Sequence, residues 1–317
     1  MEYKVKIIDI NEKEKELSRR TLTNFYQAKA EIYGTCIKLF TDNHEFKQMW
    51  IENFKPMLDM IRPHGRVFAY NTGQKMEVLY EPYTKTVIIK NCTYYGWIKS
   101  IALGLVNEYL EDIPSEHRRY SIHGSCIEKN GNAIGIIGPS GSGKTTLTYG
   151  LLLDRRFNFL TDDWFFVRLR KNGIRVFSSE KNSYIREGLE QNWPEFEKKI
   201  RHVKKDAFGR FLVDIKKIFS QDRIIEISNL NLIILLTRDK HLKPIKKLSR
   251  NEAIGFMKKN NFCNPHLLIK NVRKTGFRLK FFSELFSKVP VYLLNTIETP
   301  QESLARIVNI EKETEKL

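Results

Sequence analysis

Nine consecutive residues, Gly138-Pro139-Ser140-Gly141-Ser142-Gly143-Lys144-Thr145-Thr146, have the types and spacing to hold a polyphosphate. They fit G-x-x-x-x-G-K-[ST]. Glycines let backbone N–H groups turn inward where a Cβ would block them. Lys144 would reach the β- and γ-phosphates, and the Thr145 hydroxyl would ligate Mg²⁺. The flanks suit such a loop. Residues 133–137 are a short apolar run readable as a buried strand, and residues 147–153 continue as a helix whose positive dipole end faces the loop.

Three more residues have reactive types near that loop in the chain. His123 precedes Lys144 by 21 positions, and Asp162-Asp163 begins 18 positions after it. Adjacent carboxylates at a strand end point in opposite directions, so one can face a metal and the other a nucleophile. His123 can hydrogen-bond a carboxylate and tune its basicity. A solvated turn at Asp162-Asp163 and a structural role for His123 are the alternatives.

Composition bounds the partners. With 317 residues, 41% hydrophobic and 12% aromatic, the chain has room for packed cores in one large domain or two ordinary ones. A formal charge of +17 favours polyanionic partners, although the lysines run from end to end and read first as a solvated surface. Cys36, Cys92, Cys126 and Cys263 lie far apart without C-x-x-C pairing, so neither a disulfide framework nor a zinc site is expected. The N-terminus shows no signal-peptide pattern, and the longest apolar run, residues 232–236, is far too short for a membrane span. A soluble cytoplasmic protein is the expectation.

Taken in order, residues 3–8 alternate like a strand, 11–20 read as a loop or solvated helix, and 35–40 as a second strand. Asp42 and Glu45 form a capping-box pair. Behind them Phe46, Met49, Trp50, Phe54, Met57, Leu58 and Ile61 fall at helical spacing. Strands over 66–70, 76–80 and 86–90 predict a small antiparallel sheet, and 97–110 a buried helix. The polar stretch Glu111-Asp112-Ile113-Pro114-Ser115-Glu116 places a boundary between an α+β domain of residues 1–115 and a domain of residues 116–317. Asn130-Gly131 predicts a hairpin that sets an antiparallel partner carrying His123 beside the loop strand. A second hairpin is expected around Gly173, further strands over 211–215, 232–236 and 289–294, and helices within 251–258 and 272–286. Thr299-Pro300-Gln301-Glu302 opens a closing helix.

Ser121-Ile122-His123-Gly124-Ser125, the glycine loop and Leu160-Thr161-Asp162-Asp163 together resemble the HPr kinase/phosphorylase family, whose fold is related to phosphoenolpyruvate carboxykinase. The likeness covers roughly residues 119–236, with weaker echoes at Ile185-Arg186 and Val213-Asp214, and it implies an α/β kinase domain with a mixed sheet and hairpins. Two departures stand out. The loop ends in Lys-Thr-Thr where the HPr enzymes have Lys-Ser, and Tyr184 occupies the place of the family's metal-site glutamate, for which Glu187 is the nearest substitute. The chain is more similar to divergent members that modify serine in small peptides.

That resemblance implies an ATP-dependent, Mg²⁺-assisted phosphotransfer to a hydroxyl, serine of a protein or peptide first. It implies ATP held by residues 138–146 with Arg186 as a phosphate clamp, Mg²⁺ on Thr145 and Asp163, Asp162 as the base, and His123 and Lys144 as its catalytic partners. A small-molecule hydroxyl kinase, or a nucleotide-binding regulator without transfer, are the competing readings. The acceptor is expected to be acidic; neither a membrane nor nucleic acid is an expected partner, and a homo-oligomer is compatible with the sequence.

Overall fold

The computed structural model describes residues 3–19, 24–112, 119–203, 205 and 210–314, without the side chains of Tyr184, Arg186, Arg210 and Leu212. The architecture is α/β with mixed sheets. The chain divides into two compact units: Met1–Ser115 with Glu180–Asn182 and Pro265–Lys270, and Glu116–Ser179 with Ser183–Asn264 and Asn271–Leu317. Most of the polar stretch expected to mark the boundary lies outside the described residues. Among the described residues no helix is long and apolar enough to cross a membrane.

The first unit is built on β1 (Val5–Ile7), β2 (Tyr26–Ile32), β3 (Thr35–Thr41), β4 (Lys55–Pro56), β5 (Gly65–Tyr70), β6 (Glu77–Glu81) and β7 (Thr86–Lys90), in the order β1-β6-β7-β5-β3-β2-β4. The expected small antiparallel sheet is instead mixed: β1–β6, β3–β5 and β5–β7 are parallel pairs. Parallel neighbours need crossovers: α2 (His44–Asn53) lies between β3 and β5, and β6 between β5 and β7, while α3 (Tyr95–Asp112) follows the last strand of the sheet. α1 (Ile10–Ser18) starts at a capping box of Asp9 and Glu12. α2 is capped by Asn43, whose side chain accepts from Phe46 N–H (3.2 Å), not by Asp42, which accepts from Asn71 N–H (2.8 Å). The helical stripe stops at Phe54. Pro56 cannot continue the hydrogen-bond ladder and disfavours a helical Lys55, so Leu58 and Ile61 end up exposed in a loop.

The second unit carries β8 (Arg119–His123), β9 (Ser125–Lys129), β10 (Asn132–Ile137), β11 (Asn158–Thr161), β12 (Trp164–Arg170), β13 (Gly173–Ser178), β14 (Asn182–Arg186), β15 (Arg210–Asp214), β16 (Ile227–Thr237), β17 (Ile245–Leu248) and β18 (Val291–Asn295). The main path is β11-β9-β10-β16-β13-β12-β8, with β18 on β16 and β17 on β18; β14 and β15 form a separate ribbon. β10, β16 and β18 run parallel and end together at the glycine loop. β16 pairs with β10 along one edge and with β13 and then β18 along the other, and its residues 232–236 are buried, as a near-continuous apolar run in a covered parallel sheet requires.

Two long segments set the geometry of the site. β8 and β9 are one chain bent at Gly124, and β11 and β12 are one chain bent at Asp162-Asp163. Their registers continue across the bends: Trp164 opposes His123 and Thr161 opposes Cys126, with Gly124 N–H donating to Asp163 C=O (2.8 Å) between them. A Cβ at Gly124 would stand 2.7 Å from the Ile136 carbonyl oxygen, so the bend needs glycine. The Asn130-Gly131 hairpin joins β9 to β10 with both residues at positive φ (53° and 82°). The strand antiparallel to β10 is therefore β9; His123 sits on β8, paired with β12, and not on the loop strand's neighbour as the sequence predicts.

The remaining helices are α4 (Lys144–Leu151), α5 (Leu189–Asn192), α6 (Glu197–Ile200), α7 (Ile215–Ile218), α8 (Arg250–Lys259), α9 (Val272–Lys288) and α10 (Pro300–Thr314). α4 packs with Trp193, Phe196 and Ile307 against Ile134, Ile136, Leu232 and Ile234 in one core. α10 opens at Thr299, whose hydroxyl and Glu302 exchange hydrogen bonds as the sequence predicts.

Candidate functional site

The glycine loop leaves β10 and enters α4 as strand, turn, helix. Gly141 and Gly143 take φ of +80° and +95°, a region L side chains enter at a cost. Gly138 has a steric reason as well: a Cβ there would lie 2.5 Å from Ser142 Oγ and 2.9 Å from Leu236 Cβ. Gly143 caps α4 without a side-chain hydrogen bond, so the first-turn N–H groups have no side-chain acceptor at the cap. Lys144 Nζ donates to the carbonyls of Gly138 (2.7 Å) and Pro139 (3.1 Å), folding back across the loop. Pro139 is half-buried, Ser140 and Gly141 are exposed, and Thr145 and Thr146 are half-buried.

Other elements brace this loop. The Thr296 hydroxyl, just past β18, lies 3.0 Å from the Ser142 carbonyl and 3.1 Å from that of Thr237, and its one hydrogen serves one of them at a time. Trp193 Nε1–H donates to the Thr146 carbonyl (2.8 Å) and its ring fills the space beside Gly150. The Thr148 hydroxyl pairs with that of Ser125 (2.6 Å), directly after the Gly124 bend. The sequence pattern carries no signal for Thr296 or Trp193, because both come from distant segments.

The Asp162-Asp163 bend faces the loop helix with two carboxylates in different surroundings. Asp162 is buried, and the Tyr149 hydroxyl donates toward its Oδ2 at 3.5 Å. Burial first, and then the Asp162 charge, push the Tyr149 hydroxyl well above its ordinary pKa, so it remains a donor. Tyr149 is four residues beyond Thr145, on the same face of α4, which puts Asp162 on the Thr145 side. Asp163 is about one-third exposed, and its Oδ1 lies 3.2 Å from His123 Nε2.

His123 is held from both sides. Its Nδ1 lies 2.7 Å from the Cys263 carbonyl oxygen, which only accepts, so Nδ1 carries hydrogen. Nε2 then faces Asp163 Oδ1. The Trp164 ring meets the imidazole edge-on at 5.6 Å.

The Cys263 carbonyl is delivered by an unusual backbone. Asn261, Phe262 and Cys263 all have left-handed φ (49°, 55° and 52°), three in succession and none of them glycine. Each such residue costs on the order of 1–2 kcal/mol, and runs of this kind persist only where surroundings fix them. Phe262 stacks on Phe282 (5.9 Å, 5° between planes). The Cys263 thiol is pushed up to about 12 by burial, with the Lys144 charge pulling the other way.

Of the residues singled out in sequence, the structure brings together the loop, Lys144, Thr145, Asp162, Asp163 and His123. Arg186 ends β14, but its side chain, like that of Tyr184, lies outside the described part. Glu187 is exposed and pairs with Lys205 (2.6 Å). Among the described residues no group of three or more His, Cys, Asp or Glu side chains forms a metal cage. Few protein ligands are what Mg²⁺ takes when phosphate and water complete its shell, so the Thr145 hydroxyl and one carboxylate of the bend fit that ion. The loop's glycines and open helix N-terminus fit a polyphosphate.

No protein-family model and no curated protein matches the chain. Among solved structures it is similar to the HPr(Ser) kinase/phosphatase from Coxiella burnetii: 17% identity, 61% of this chain and 98% of that chain covered, TM-score 0.35. A likeness of that size carries no argument about the site, which stands on its own residues.

Proposed function

We propose that the protein transfers the γ-phosphoryl group of ATP to a hydroxyl, serine of a protein or peptide in the first instance. The observation that carries this reading is the meeting of two features on one end of the sheet. The helix that begins with Lys144 and Thr145 reaches, through Tyr149, the bend that holds Asp162 and Asp163. A polyphosphate site alone fits many nucleotide-binding proteins; a carboxylate pair braced against its helix adds a base and a cation ligand.

Backbone N–H groups of residues 140–146 cradle the phosphates, and Lys144 moves from the Gly138 and Pro139 carbonyls to phosphate oxygens. Mg²⁺, when bound, neutralises developing charge on the phosphates, with Thr145 and Asp162 to hold it. Asp163 takes the proton of the acceptor hydroxyl. The new bond forms between that oxygen and the γ-phosphorus, the bond to the β–γ bridging oxygen breaks, and ADP leaves. His123 orients Asp163. This assignment exchanges the two aspartates relative to the order implied by resemblance, because the partly exposed carboxylate is the one an acceptor can reach. Residues 116–317 carry 38 Lys and Arg against 22 Asp and Glu, which favours an acidic flank around the acceptor.

Incubation with γ-labelled ATP, serine peptides and a metabolite pool tests the reading. Lys144→Ala is expected to remove ATP binding and transfer together. Asp163→Asn is expected to keep ATP binding and lose about 10²–10⁴ in transfer, whereas Asp162→Asn raises the Mg²⁺ requirement. Full transfer by Asp163→Asn would refute the base assignment, and ATP binding without label in any acceptor would refute phosphotransfer.

A further inference from the structure

The seven-stranded sheet of the first unit carries a charge arrangement that the glycine-loop chemistry does not use. Lys29 on β2 is the register partner of Lys38 on β3, and Lys38 is the register partner of Arg66 on β5. Register partners share a face, so three cations stand in one row across adjacent strands about 4.8 Å apart. Like charges set directly opposite destabilise a sheet, and a fold gains nothing from them on its own. The surrounding chain does not explain the row by a general excess of charge: residues 1–115 hold 16 Lys and Arg and 15 Asp and Glu.

The three side chains are half-buried. Lys29 Nζ donates to the carbonyl oxygens of Asp59 and of Ile61 (2.9 Å), which uses two of its three hydrogens. The Lys38 ammonium stands 4.7 Å from the centroid of the Phe40 ring, which stacks on Phe68 (4.4 Å, 8°). Among the described residues no carboxylate lies within ion-pair distance of Lys38 or Arg66. Burial, and then the charges of Lys29 and Arg66, hold the Lys38 ammonium below its ordinary range; the Asp59 carboxylate opposes this more weakly. The same three cations act on the Cys36 thiol, two residues before Lys38 on the same face, against the larger upward push of its burial. Their charges therefore converge on one spot.

We propose that Lys29, Lys38 and Arg66 form a second anion site, which takes a phosphate dianion, free or as a monoester. A lone carboxylate carries one charge and two oxygens and would leave two of the three cations opposed. Phosphate carries close to two charges and enough oxygens to meet all three. The Arg66 fork suits two of those oxygens, Lys38 supplies a point charge on its aromatic seat, and Lys29 has one hydrogen left to give. The inference is independent of the phosphotransfer reading.

The test uses the full chain carrying Lys144→Ala, so that phosphate at the glycine loop does not contribute. Amide shifts of β2, β3 and β5 are followed by NMR during titration with inorganic phosphate and, separately, with O-phosphoserine, at ionic strength held constant with chloride. Saturable shifts centred on Lys38 and Arg66 are expected. Lys38→Met and Arg66→Met, each added to that background, should weaken saturation about tenfold or more. Tighter saturation by O-phosphoserine assigns a monoester, and equal or tighter saturation by inorganic phosphate assigns the free ion. Absence of saturation with both probes, or titrations that neither Met variant alters, would overturn the proposal.

Discussion

Both units close a hairpin with two left-handed residues, Tyr33-Gly34 in the first and Asn130-Gly131 in the second. Beyond that they differ. In the first unit left-handed residues occur singly or in such pairs, at Lys85, Asn91 and Gly73, where chain direction reverses. In the second unit Gly173 serves a hairpin and Gly188 a helix start, but Gly141, Gly143 and the run from Asn261 to Cys263 gather at the candidate site, the two glycines in the loop after β10 and the run at His123. Turn chemistry accounts for the first distribution. The second marks a place where the fold tolerates strain to aim a carbonyl at His123 and open a helix N-terminus. Charge separates the units too, with a formal +1 over residues 1–115 (16 minus 15) against +16 over residues 116–317 (38 minus 22). The lysines do run through both parts, but the net positive charge belongs to the part that bears the glycine loop.

The largest expected effect strikes both units alike and so serves as their common reference. Burial pushes the Cys92 thiol up to about 11 and that of Cys263 up to about 12, from an ordinary 9.0. A thiol whose pKa rises on folding stabilises the fold fully below its unfolded pKa and loses that contribution as pH climbs toward the folded value. Stability should therefore fall between about pH 9 and 12, at a limit of about 1.4 kcal/mol per pH unit for each thiol. Urea midpoints measured across that range check it. Cys92→Ala and Cys263→Ala should flatten the fall, and an unchanged slope in both would show that the thiols are not its source.

The comparison breaks most directly at the left-handed run. Cys263→Val puts a β-branched residue where φ is 52°, so the turn must open, at about 1–3 kcal/mol. The carbonyl then leaves His123, and the nitrogen shifts of that ring should change from the Nδ1–H form. Cys263→Gly removes the thiol equally but suits the backbone, and should keep both the shifts and the fold. Identical behaviour of the two variants would mean that the run positions nothing. Gly138→Ala ranks next, at about 1–3 kcal/mol, since its Cβ meets Ser142 Oγ and Leu236. In calorimetry with ATP it should lose affinity well beyond what its change in stability accounts for.

The same features decide what is legible in the sequence. The glycine loop, the Asn130-Gly131 and Gly173 hairpins and the Thr299 cap are readable because each depends on residue type at short range. β2 is not, since its turn uses Tyr33, a residue with no turn preference, before Gly34. Apolar spacing at Met57, Leu58 and Ile61 overextends the helical stripe because it outweighs the single break at Pro56. The sequence puts His123 on the wrong strand because the bend at Gly124 divides one apparent strand into two that pair with different neighbours. The Cys263 carbonyl and Thr296 contribute to the site from segments more than a hundred residues beyond Lys144, which spacing around a motif cannot reveal.

The smallest expected effect converts one hairpin into the other. Tyr33 takes a φ of 51° that a tyrosine reaches at some cost, whereas Asn130 takes 53° with a side chain suited to that region. Tyr33→Asn gives the first hairpin the residue pair of the second and should stabilise the chain by about 0.5–1 kcal/mol. Tyr33 is half-buried, so Tyr33→Ala supplies the reference for the packing that the ring provides. A higher urea midpoint for Tyr33→Asn than for Tyr33→Ala isolates the effect of the turn. Nucleotide binding should not move in either variant, because this left-handed pair serves only a chain reversal. If Tyr33→Asn altered ATP affinity, the division between turn strain and site strain would fail.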